Sequence, residues 1–344
     1  MDLESLRARA VGRDDLESWR VLGDALVAAG DPRGELMALQ AGLEEHPGDA
    51  ALREAERRLR FEHRHALLGP LVDQALPYFV AWRWGHVAEL DLAVSATSPN
   101  TPTEAVGELL AGLDLFALRR LRLVGAARYE GVMDAFAARS WPVLERLELG
   151  PVNPGAGRLD RALGPILSAA SELRYLRLEG PEQLGGLEHA RLEGLMLAIR
   201  PEQVDELDLS GLPALRTLTL RTRRPPDPGA LERVLRGRVE RLVVYGAPPV
   251  LPGIQVESAM AADPATDRLL TPAEQSVPRR FHRRGRFRAV RRSDALLFVR
   301  EGKVGRPGLE RHERFATPYD AARALHARAW DWRQEGFAEV WVPA

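Results

Sequence analysis

The chain of 344 residues contains no cysteine. Disulfide bonds, thiolate nucleophiles and cysteine-ligated metal sites are therefore excluded, and a cytoplasmic protein is the simplest expectation. Lysine is almost absent as well, because 47 of the 48 basic residues are Arg and Lys303 is the only Lys. This bias is typical of GC-rich bacterial coding sequences, so a single arginine is weak evidence for an arginine-specific role.

Long apolar runs are also missing. No stretch approaches 18 consecutive apolar residues, so no membrane-spanning helix is expected. The start, Met1-Asp2-Leu3-Glu4, is acidic and lacks the basic region and apolar core of a signal peptide. The sequence has no phosphate-binding loop, HExxH motif, nucleophile elbow or dinucleotide-binding turn. We expect a protein that is not an enzyme and needs no cofactor, although an enzyme whose site no motif reveals stays open.

Histidine offers no metal site either. His63 and His65 lie two residues apart on a predicted helix, beside Glu62. Residues at that spacing point to different faces of a helix, so the two rings cannot hold one ion. We expect no bound metal.

Charge is distributed unevenly along the chain. The formal net charge is −1, yet residues 278–344 hold 16 Arg or Lys against 8 Asp or Glu. The remaining residues hold 32 against 41 and are acidic. This separation indicates domains that bind different partners or that attract each other.

The N-terminal part predicts short helices joined by tight turns. Residues 14–29 place Leu, Trp, Leu and Leu at helical spacing, and Gly30 ends that helix. Asp31-Pro32 then begins a second helix over 34–45, with Asp as the N-cap. A third, rich in Arg and Glu, follows to about Leu68. Residues 1–80 are expected to form a helical module.

The segment GDPRGE, residues 30–35, resembles the hallmark of the short bacterial repeat-companion domain. Gly23-Asp24-Ala25 replaces the usual Ala-Asp-Trp of that family. The resemblance implies a module that precedes a repeat array, and it carries no activity over to this chain. We expect the module to pack on the N-terminal end of the array and to shield the open edge of its first strand. An anion site at this helix N-terminus is the alternative to a purely structural turn. The stretch AWRWGHV, residues 81–87, is similar to the junction at which such modules meet their first repeat strand.

A repeated Leu-x-Leu pattern follows residue 87. The spacings between equivalent leucines are 31, 26, 29, 19, 23 and 24 residues, in or slightly above the leucine-rich-repeat period. The equivalent leucines are Leu90, Leu121, Leu147, Leu176, Leu195, Leu218 and Leu242. Residues 81–256 therefore resemble a leucine-rich-repeat solenoid, a curved parallel sheet with return helices, of the α/β class. An ordinary α/β sheet domain is the alternative.

Three segments inside the repeats predict return structure rather than strand. Residues 101–113 and 229–237 are helix-capable. Residues 204–213 contain a further Leu-x-Leu only 12 residues after the previous one. A parallel crossover needs more chain than that, so this segment is expected to form return helix and turn.

The residue between the two leucines of each repeat is expected on the concave face of the solenoid. The first four, Asp91, Arg122, Glu148 and Arg177, alternate in sign, which predicts a self-complementary and solvated ladder. The second half is apolar, and an exposed apolar patch on such a face usually marks a contact. The alternative is that the linker folds over it. The predicted protein-binding residues are Met196, Ala198, Thr219, Arg221, Val243, Tyr245, Arg177 and Tyr175.

Residues 257–277 form a Pro- and Ala-rich linker, after one last predicted strand at 254–256. Residues 278–344 then alternate as strands, followed by a helix that begins near Thr317 and a closing strand at 337–342. The segment Glu301-Gly302-Lys303-Val304-Gly305-Arg306-Pro307-Gly308 resembles the Trp-Gly-Arg motif of the WGR domain, a small α+β module of poly-ADP-ribose polymerases and stand-alone bacterial proteins. The family's Trp contributes to a nucleic-acid contact, and Glu301 stands in its place.

The stretch 279–292 has eight Arg, no acidic residue and two interleaved Phe. This composition suits phosphate contact with base stacking, and equally suits docking onto the acidic front of the chain or a solvated sheet face. The predicted nucleic-acid or acidic-partner residues are Arg279, Arg280, Arg283, Arg284, Arg286, Arg288, Lys303 and Arg306.

Two functions follow from the sequence. The favoured one is a non-enzymatic bacterial adaptor or scaffold that binds a protein partner through the concave face. The alternative is a nucleic-acid-associated protein whose basic C-terminal domain makes weak, sequence-independent contact with DNA or RNA. No membrane partner is expected.

Overall fold

The structure is a computed structural model with all side chains. It describes residues 2–73, 78–93, 103–124, 130–150, 163–181, 187–222, 226–235, 238–244, 249, 251, 253–258, 279–293, 295–315 and 318–340. Tyr245 and nearly all of the expected linker, 257–277, lie outside these residues.

The described part of the chain is a mixed α/β protein. Its helices are α1 (Leu3–Arg13), α2 (Leu16–Ala28), α3 (Pro32–Glu45), α4 (Ala50–Glu62), α5 (Arg64–Leu68), α6 (Thr103–Gly112), α7 (Glu130–Ala137), α8 (Gly164–Ala169), α9 (Pro228–Leu235) and α10 (Pro318–Gln334), with 3-10 helices at Gly69–Asp73 and Pro201–Glu206. Its strands are β1 (Tyr78–Arg83), β2 (His86–Ala93), β3 (Arg120–Val124), β4 (Arg146–Gly150), β5 (Tyr175–Glu179), β6 (Gly194–Ala198), β7 (Thr217–Arg221), β8 (Arg241–Val244), β9 (Gln255–Ser258), β10 (Arg279–Arg283), β11 (Arg286–Ser293), β12 (Leu296–Lys303), β13 (Leu309–Arg314) and β14 (Ala338–Val340).

The chain divides into two compact units. The first combines Met1–Val87 with Pro264–Ala344, and the second is Ala88–Asp263. Within the first unit, the Arg333 guanidinium of α10 donates a hydrogen bond of 3.0 Å to the carbonyl of Val72. The helical module and the basic C-terminal part therefore belong to one unit, although they stand at opposite ends of the sequence.

The N-terminal helices begin at aspartates, because a carboxylate satisfies backbone N–H groups that the first turn leaves free. Asp2, Asp15, Asp31 and Asp49 accept hydrogen bonds from backbone N–H groups of α1, α2, α3 and α4. The sequence predicted three helices here. The structure adds α1 and interrupts the third predicted helix at His63, which separates α4 from α5.

The GDPRGE segment joins the end of α2 to the first turn of α3, and both of its glycines have a steric role. Gly30 ends α2 with φ +73°, a backbone conformation that side chains with a Cβ rarely adopt. Asp31 caps α3 through the backbone N–H of Arg33, and the Arg33 guanidinium lies 3.0 Å from the Asp31 carboxylate. A Cβ on Gly34 would lie 2.6 Å from the carbonyl oxygen of Gly23, so α3 packs directly on the backbone of α2.

The larger sheet has nine strands in sequential order, β1 to β9. From β2 to β9 every neighbouring pair is parallel, and all seven predicted repeat strands are present. The equivalent leucines form one continuous row from Leu90 to Leu242 that ends on Val256. The segment 201–213 forms a 3-10 helix and turns, as its short spacing predicted.

The smaller sheet has the strand order β13-β12-β11-β10-β14 and is antiparallel throughout. The turn between β10 and β11 is Arg284-Gly285, and that between β1 and β2 is Trp84-Gly85. All four residues have positive φ, as a two-residue hairpin turn of the favoured hand requires. Helix α10 covers one face of this sheet, where the core contains Phe281, Val290, Leu297, Val299, Ala329, Trp332 and Phe337.

Candidate binding surfaces

The residues between paired leucines form a second row across the parallel sheet. We call this surface the ladder face. In register order it carries Asp91, Arg122, Glu148, Arg177, Met196, Thr219, Val243 and Glu257. The predicted strand phase is therefore correct, and the eight side chains lie on one side of the sheet.

Three charged residues of the ladder face, Arg122, Glu148 and Arg177, belong to one network of ion pairs. Glu148 is its centre: Arg120 lies 3.2 Å away, Arg146 2.6 Å and Arg122 3.6 Å. Arg177 lies 3.8 Å from the same carboxylate and also pairs with Glu179. The alternating charges thus complement one another, as the sequence indicated.

These charges are not solvated, which corrects the sequence-based expectation. Asp91, Arg122, Glu148 and Arg177 are all buried, with exposures between 2% and 8%. Strands about 4.8 Å apart bring long Arg side chains against their neighbours, so Arg122, Glu148 and Arg177 are covered by the pairs they make. Asp91 is buried beside them, and no described residue donates a hydrogen bond to its carboxylate. This half of the face offers no free charge to a partner.

The pKa values of the two ladder-face carboxylates, Asp91 and Glu148, shift in opposite directions. For Glu148, burial alone would raise the pKa, but Arg146, Arg120 and Arg122 outweigh it and hold the pKa below its usual value. For Asp91, burial dominates and raises the pKa to about 7, although Arg120 and Arg122 act in the opposite direction. Neither carboxylate oxygen of Asp91 has a hydrogen-bond partner in the described part of the chain.

Three of the predicted protein-binding residues are committed to packing. Met196 is only 1% exposed, so the expected apolar patch does not include it as a free side chain. The hydroxyl of Tyr175 lies 3.7 Å from the Met196 sulfur, and the Arg146 guanidinium covers the Tyr175 ring at 4.1 Å. Arg177 belongs to the ion-pair network. Neighbouring long side chains fill the space above a flat row, which strand alternation alone does not reveal.

The ladder face is open farther along the sheet. Ala198, Thr219 and Val243 are half-buried, and Arg221 is exposed. Arg221 reaches back to Glu179 at 4.0 Å, which marks the edge of the ion-pair network. We call Ala198, Thr219, Arg221 and Val243 the open ladder segment.

The basic stretch is split between the two faces of the smaller sheet. On the helix side, Arg279 pairs with Glu339 at 2.6 Å and Arg288 pairs with Glu335 at 2.6 Å. Arg283 donates to the backbone carbonyl of Glu335. These three predicted contact residues bind the chain's own helix and closing strand, so they are not a common surface for a partner.

Four other predicted residues remain exposed at one end of the sheet. Arg284 lies in the β10–β11 turn and Arg286 follows it, while Lys303 ends β12 and Arg306 lies in the β12–β13 turn. The two turns are neighbours, because Arg286 and Lys303 are partners across β11 and β12.

The face opposite α10 carries a pocket that the sequence did not single out. Arg280, Phe287, Ala289, Arg291, Phe298 and Arg300 line this pocket of about 230 Å³, together with Val290 and Glu310. We call it the open-face pocket. Arg280 and Arg300 both lie beside Ala289, whose small side chain leaves space between them. Strand alternation could have shown from the sequence that Arg280 and Arg291 lie on the opposite face of the sheet from Arg279 and Arg288.

Phenylalanine rings position two arginines at this pocket. The Arg280 guanidinium lies 4.5 Å from the Phe287 ring centre, and the Arg291 guanidinium lies 3.9 Å from that of Phe298. A ring face attracts a cation and holds it without consuming its N–H donors. Arg280 forms no ion pair with another described residue, and its buried Nε has no hydrogen-bond partner among them.

The glycines of the WGR-like motif are explained by packing. A Cβ on Gly302 would lie 2.7 Å from the Cα of Gly308, and Gly308 itself has φ +74°. Glu301 lies 3.3 Å from Arg311 and 3.9 Å from Arg288. Its carboxylate is therefore part of an ion-pair chain on the helix side.

The described residues offer no candidate for a metal site or a membrane-spanning helix. Among the described residues, no three His, Asp or Glu side chains are placed to hold a metal ion. None of the described helices is both long and apolar enough to cross a membrane. No protein-family model, curated protein or solved structure matches the chain.

Proposed function

We propose that this chain is a non-enzymatic binding protein of leucine-rich-repeat type, which holds a protein partner on the open ladder segment. The proposal rests on a contrast between the two halves of the ladder face. The ladder-face charges of β3, β4 and β5 pair with one another, whereas Thr219 on β7 and Val243 on β8 are uncharged and half-buried. Uncharged, half-buried side chains in a flat row suit a protein contact.

Fold regularity supports the same proposal. Eight parallel strands in sequential order keep equivalent residues in straight rows, so a partner meets a continuous surface rather than separate loops. The leucine row below is buried and packed, and a preorganised scaffold reduces the ordering cost of binding.

The test compares two Val→Glu substitutions in a quantitative pull-down from the native cell. Val243→Glu places a charge in the open ladder segment, and Val27→Glu places one on the exposed surface of α2 as the matched control. Proteins retained by wild type and by the Val27 variant, but lost from the Val243 variant, would support the proposal. An identical set of proteins on all three baits would contradict it.

We propose nucleic acid as the second candidate partner, on the open-face pocket. Three guanidinium groups, two of them held on phenylalanine rings, surround a space of about 230 Å³. Pockets for whole small molecules are usually about 300–1,000 Å³, so this one suits a single unit of a longer ligand. Arginine beside aromatic rings suits the phosphate and base of a single strand.

The corresponding test is a titration of the full chain with a short single-stranded oligonucleotide at two salt concentrations. Arg280→Ala and Arg291→Ala should each weaken binding several-fold, whereas Arg284→Ala at the exposed turn should change it little. Equal losses for all three variants would indicate diffuse attraction to the basic surface instead of a pocket. Absence of binding at low salt would remove this candidate.

A further inference from the structure

Strand β13 is an end strand of the smaller sheet and pairs with β12 alone in the described structure. It is six residues long, and five of its six residues are exposed. One of them, Leu309, has 70% of its surface exposed, which is unusual for a large apolar side chain in this protein. A strand of this length with a free edge is a template for pairing with another strand.

The hydrogen-bond pattern shows which backbone groups of β13 are directed outward. The N–H of Phe315 donates to the carbonyl of Ala295 at 2.9 Å, one step beyond the pair of Leu296 and Arg314. In an antiparallel pair, hydrogen-bonded and non-hydrogen-bonded positions alternate. Backbone groups of Leu309, Arg311 and Glu313 therefore face β12. Those of Glu310, His312 and Arg314 face the free edge.

The side chains of this strand are complementary to themselves. When two copies of β13 run antiparallel with His312 opposite His312, Glu310 lies opposite Arg314 and Arg311 lies opposite Glu313. All four of these cross-strand pairs, counting both copies, join opposite charges. The same register places Leu309 opposite Phe315. It also joins outward-facing residues with outward-facing residues, as the backbone hydrogen bonds require.

Neighbouring registers lack this match. Moving the two-fold axis by one residue places Arg311 opposite Arg311 in one direction and Glu313 opposite Glu313 in the other. Like charges directly opposite each other destabilise a strand pair. The charge pattern therefore favours one register among those that the backbone permits.

We propose that two copies of this chain associate through β13, antiparallel and centred on His312, so that their two five-stranded sheets become continuous. This self-association goes beyond the binding functions proposed above. A single strand pair buries less than the roughly 1,000 Å² of a standard stable interface, so the dimer is weak and depends on protein concentration. Backbone hydrogen bonds provide the attraction, and the charges determine the partner and the register.

The first experiment uses charge reversal and mixing. Sedimentation velocity is measured on the full chain from about 1 µM to about 500 µM, a range chosen for a small interface. Glu310→Arg and Arg314→Glu should each weaken the dimer about tenfold or more, because each variant places two like-charge pairs across the axis. An equimolar mixture should dimerise again, since one copy then carries arginine at both positions and the other carries glutamate at both.

A charge reversal outside β13 serves as the control for this experiment. Arg284→Glu makes the same change of charge at an exposed turn away from β13 and should leave the dimer unchanged. A wild-type chain that stays monomeric over the whole range overturns the proposal and leaves this edge to a strand of another protein. A dimer that both charge reversals leave intact overturns it as well.

A second variant tests the backbone directly. His312→Pro removes an N–H that faces outward, and proline is tolerated at such edge positions because the internal ladder loses no donor. This variant should be monomeric while its melting temperature stays close to that of the monomeric wild type. A His312→Pro protein that dimerises as tightly as wild type would overturn the proposed strand pairing.

Discussion

Asp91 and Arg122 are direct partners across β2 and β3, yet the guanidinium of Arg122 lies 3.6 Å from the Glu148 carboxylate on the next strand. Neither carboxylate oxygen of Asp91 accepts a hydrogen bond from another described residue. The ion-pair network of the ladder face is therefore centred on Glu148, and the first carboxylate of the row is buried without a close partner.

This arrangement predicts a stability that depends on pH through Asp91. Its pKa is raised to about 7 in the folded chain from an ordinary value of 3.8, so folding takes up a proton between those pH values. Stability should therefore fall as pH rises from about 4 to about 7. Asp91→Asn cannot ionise, and it should exceed wild type by about 2–4 kcal/mol at pH 8 but by little at pH 4.

Urea denaturation at both pH values measures this difference. Asp24→Asn, on the exposed surface of α2, is the matched control and should show no such dependence. If the Asp91 variant is less stable than wild type at pH 8, the carboxylate is ionised and well paired, contrary to this account.

Gly→Ala substitutions at Gly34 and Gly12 should have opposite effects on stability, because α3 packs closely on α2 whereas Gly12 faces solvent. Gly34→Ala inserts a Cβ that would lie 2.6 Å from two backbone atoms of α2, so it should cost about 1–3 kcal/mol. Gly12→Ala, on the exposed side of α1 with no atom within 4 Å, should instead gain about 0.5–1 kcal/mol. Thermal denaturation distinguishes the two. Equal effects would show that the helices do not pack so closely.

Met196 and Val243 occupy equivalent positions on the ladder face but differ in burial. Met196→Glu buries a charge among packed side chains and should cost about 3–5 kcal/mol. Val243→Glu can turn its carboxylate to solvent and should cost less than about 1 kcal/mol. Free energies of unfolding from urea titration test the contrast. A tolerated Met196→Glu would mean that the face is open at β6.

Glu339 joins β14 to the basic stretch, and its removal should be costly. Burial alone would raise its pKa, but Arg279 and Arg333 lower it to about 2. The pairing therefore stabilises the fold above about pH 4.5 and is lost as pH falls towards 2. Glu339→Gln should cost about 2–3 kcal/mol at pH 7 and far less at pH 2.5.

A surface ion pair provides the control for that experiment. Glu335→Gln removes a carboxylate that is exposed and paired with Arg288, and exposed pairs contribute about 0–1 kcal/mol. Circular dichroism during urea denaturation at both pH values gives the comparison. A Glu335 variant as destabilised as the Glu339 variant would contradict the assigned difference in burial.

Local patterns in the sequence determined the secondary structure of most of the chain. Leucine spacing predicted all seven repeat strands and their phase, because alternate side chains of a strand must enter the same core. Asp31-Pro32 predicted the start of α3, because capping depends on residues adjacent in the chain. Helix α1 was missed: its apolar face is short, with Leu6 and Ala10 as its buried residues.

Only the tertiary structure decided which side chains are available to a partner. Met196 and Thr219 have the same place in the repeat, yet long neighbours cover Met196 and leave Thr219 half-open. The eight arginines of 279–292 look like one basic surface, but strand alternation sends Arg279 to Glu339 and Arg280 to the open-face pocket. Burial and ion pairing depend on residues far apart in the chain, such as Arg333 and Val72, whose proximity no local pattern records.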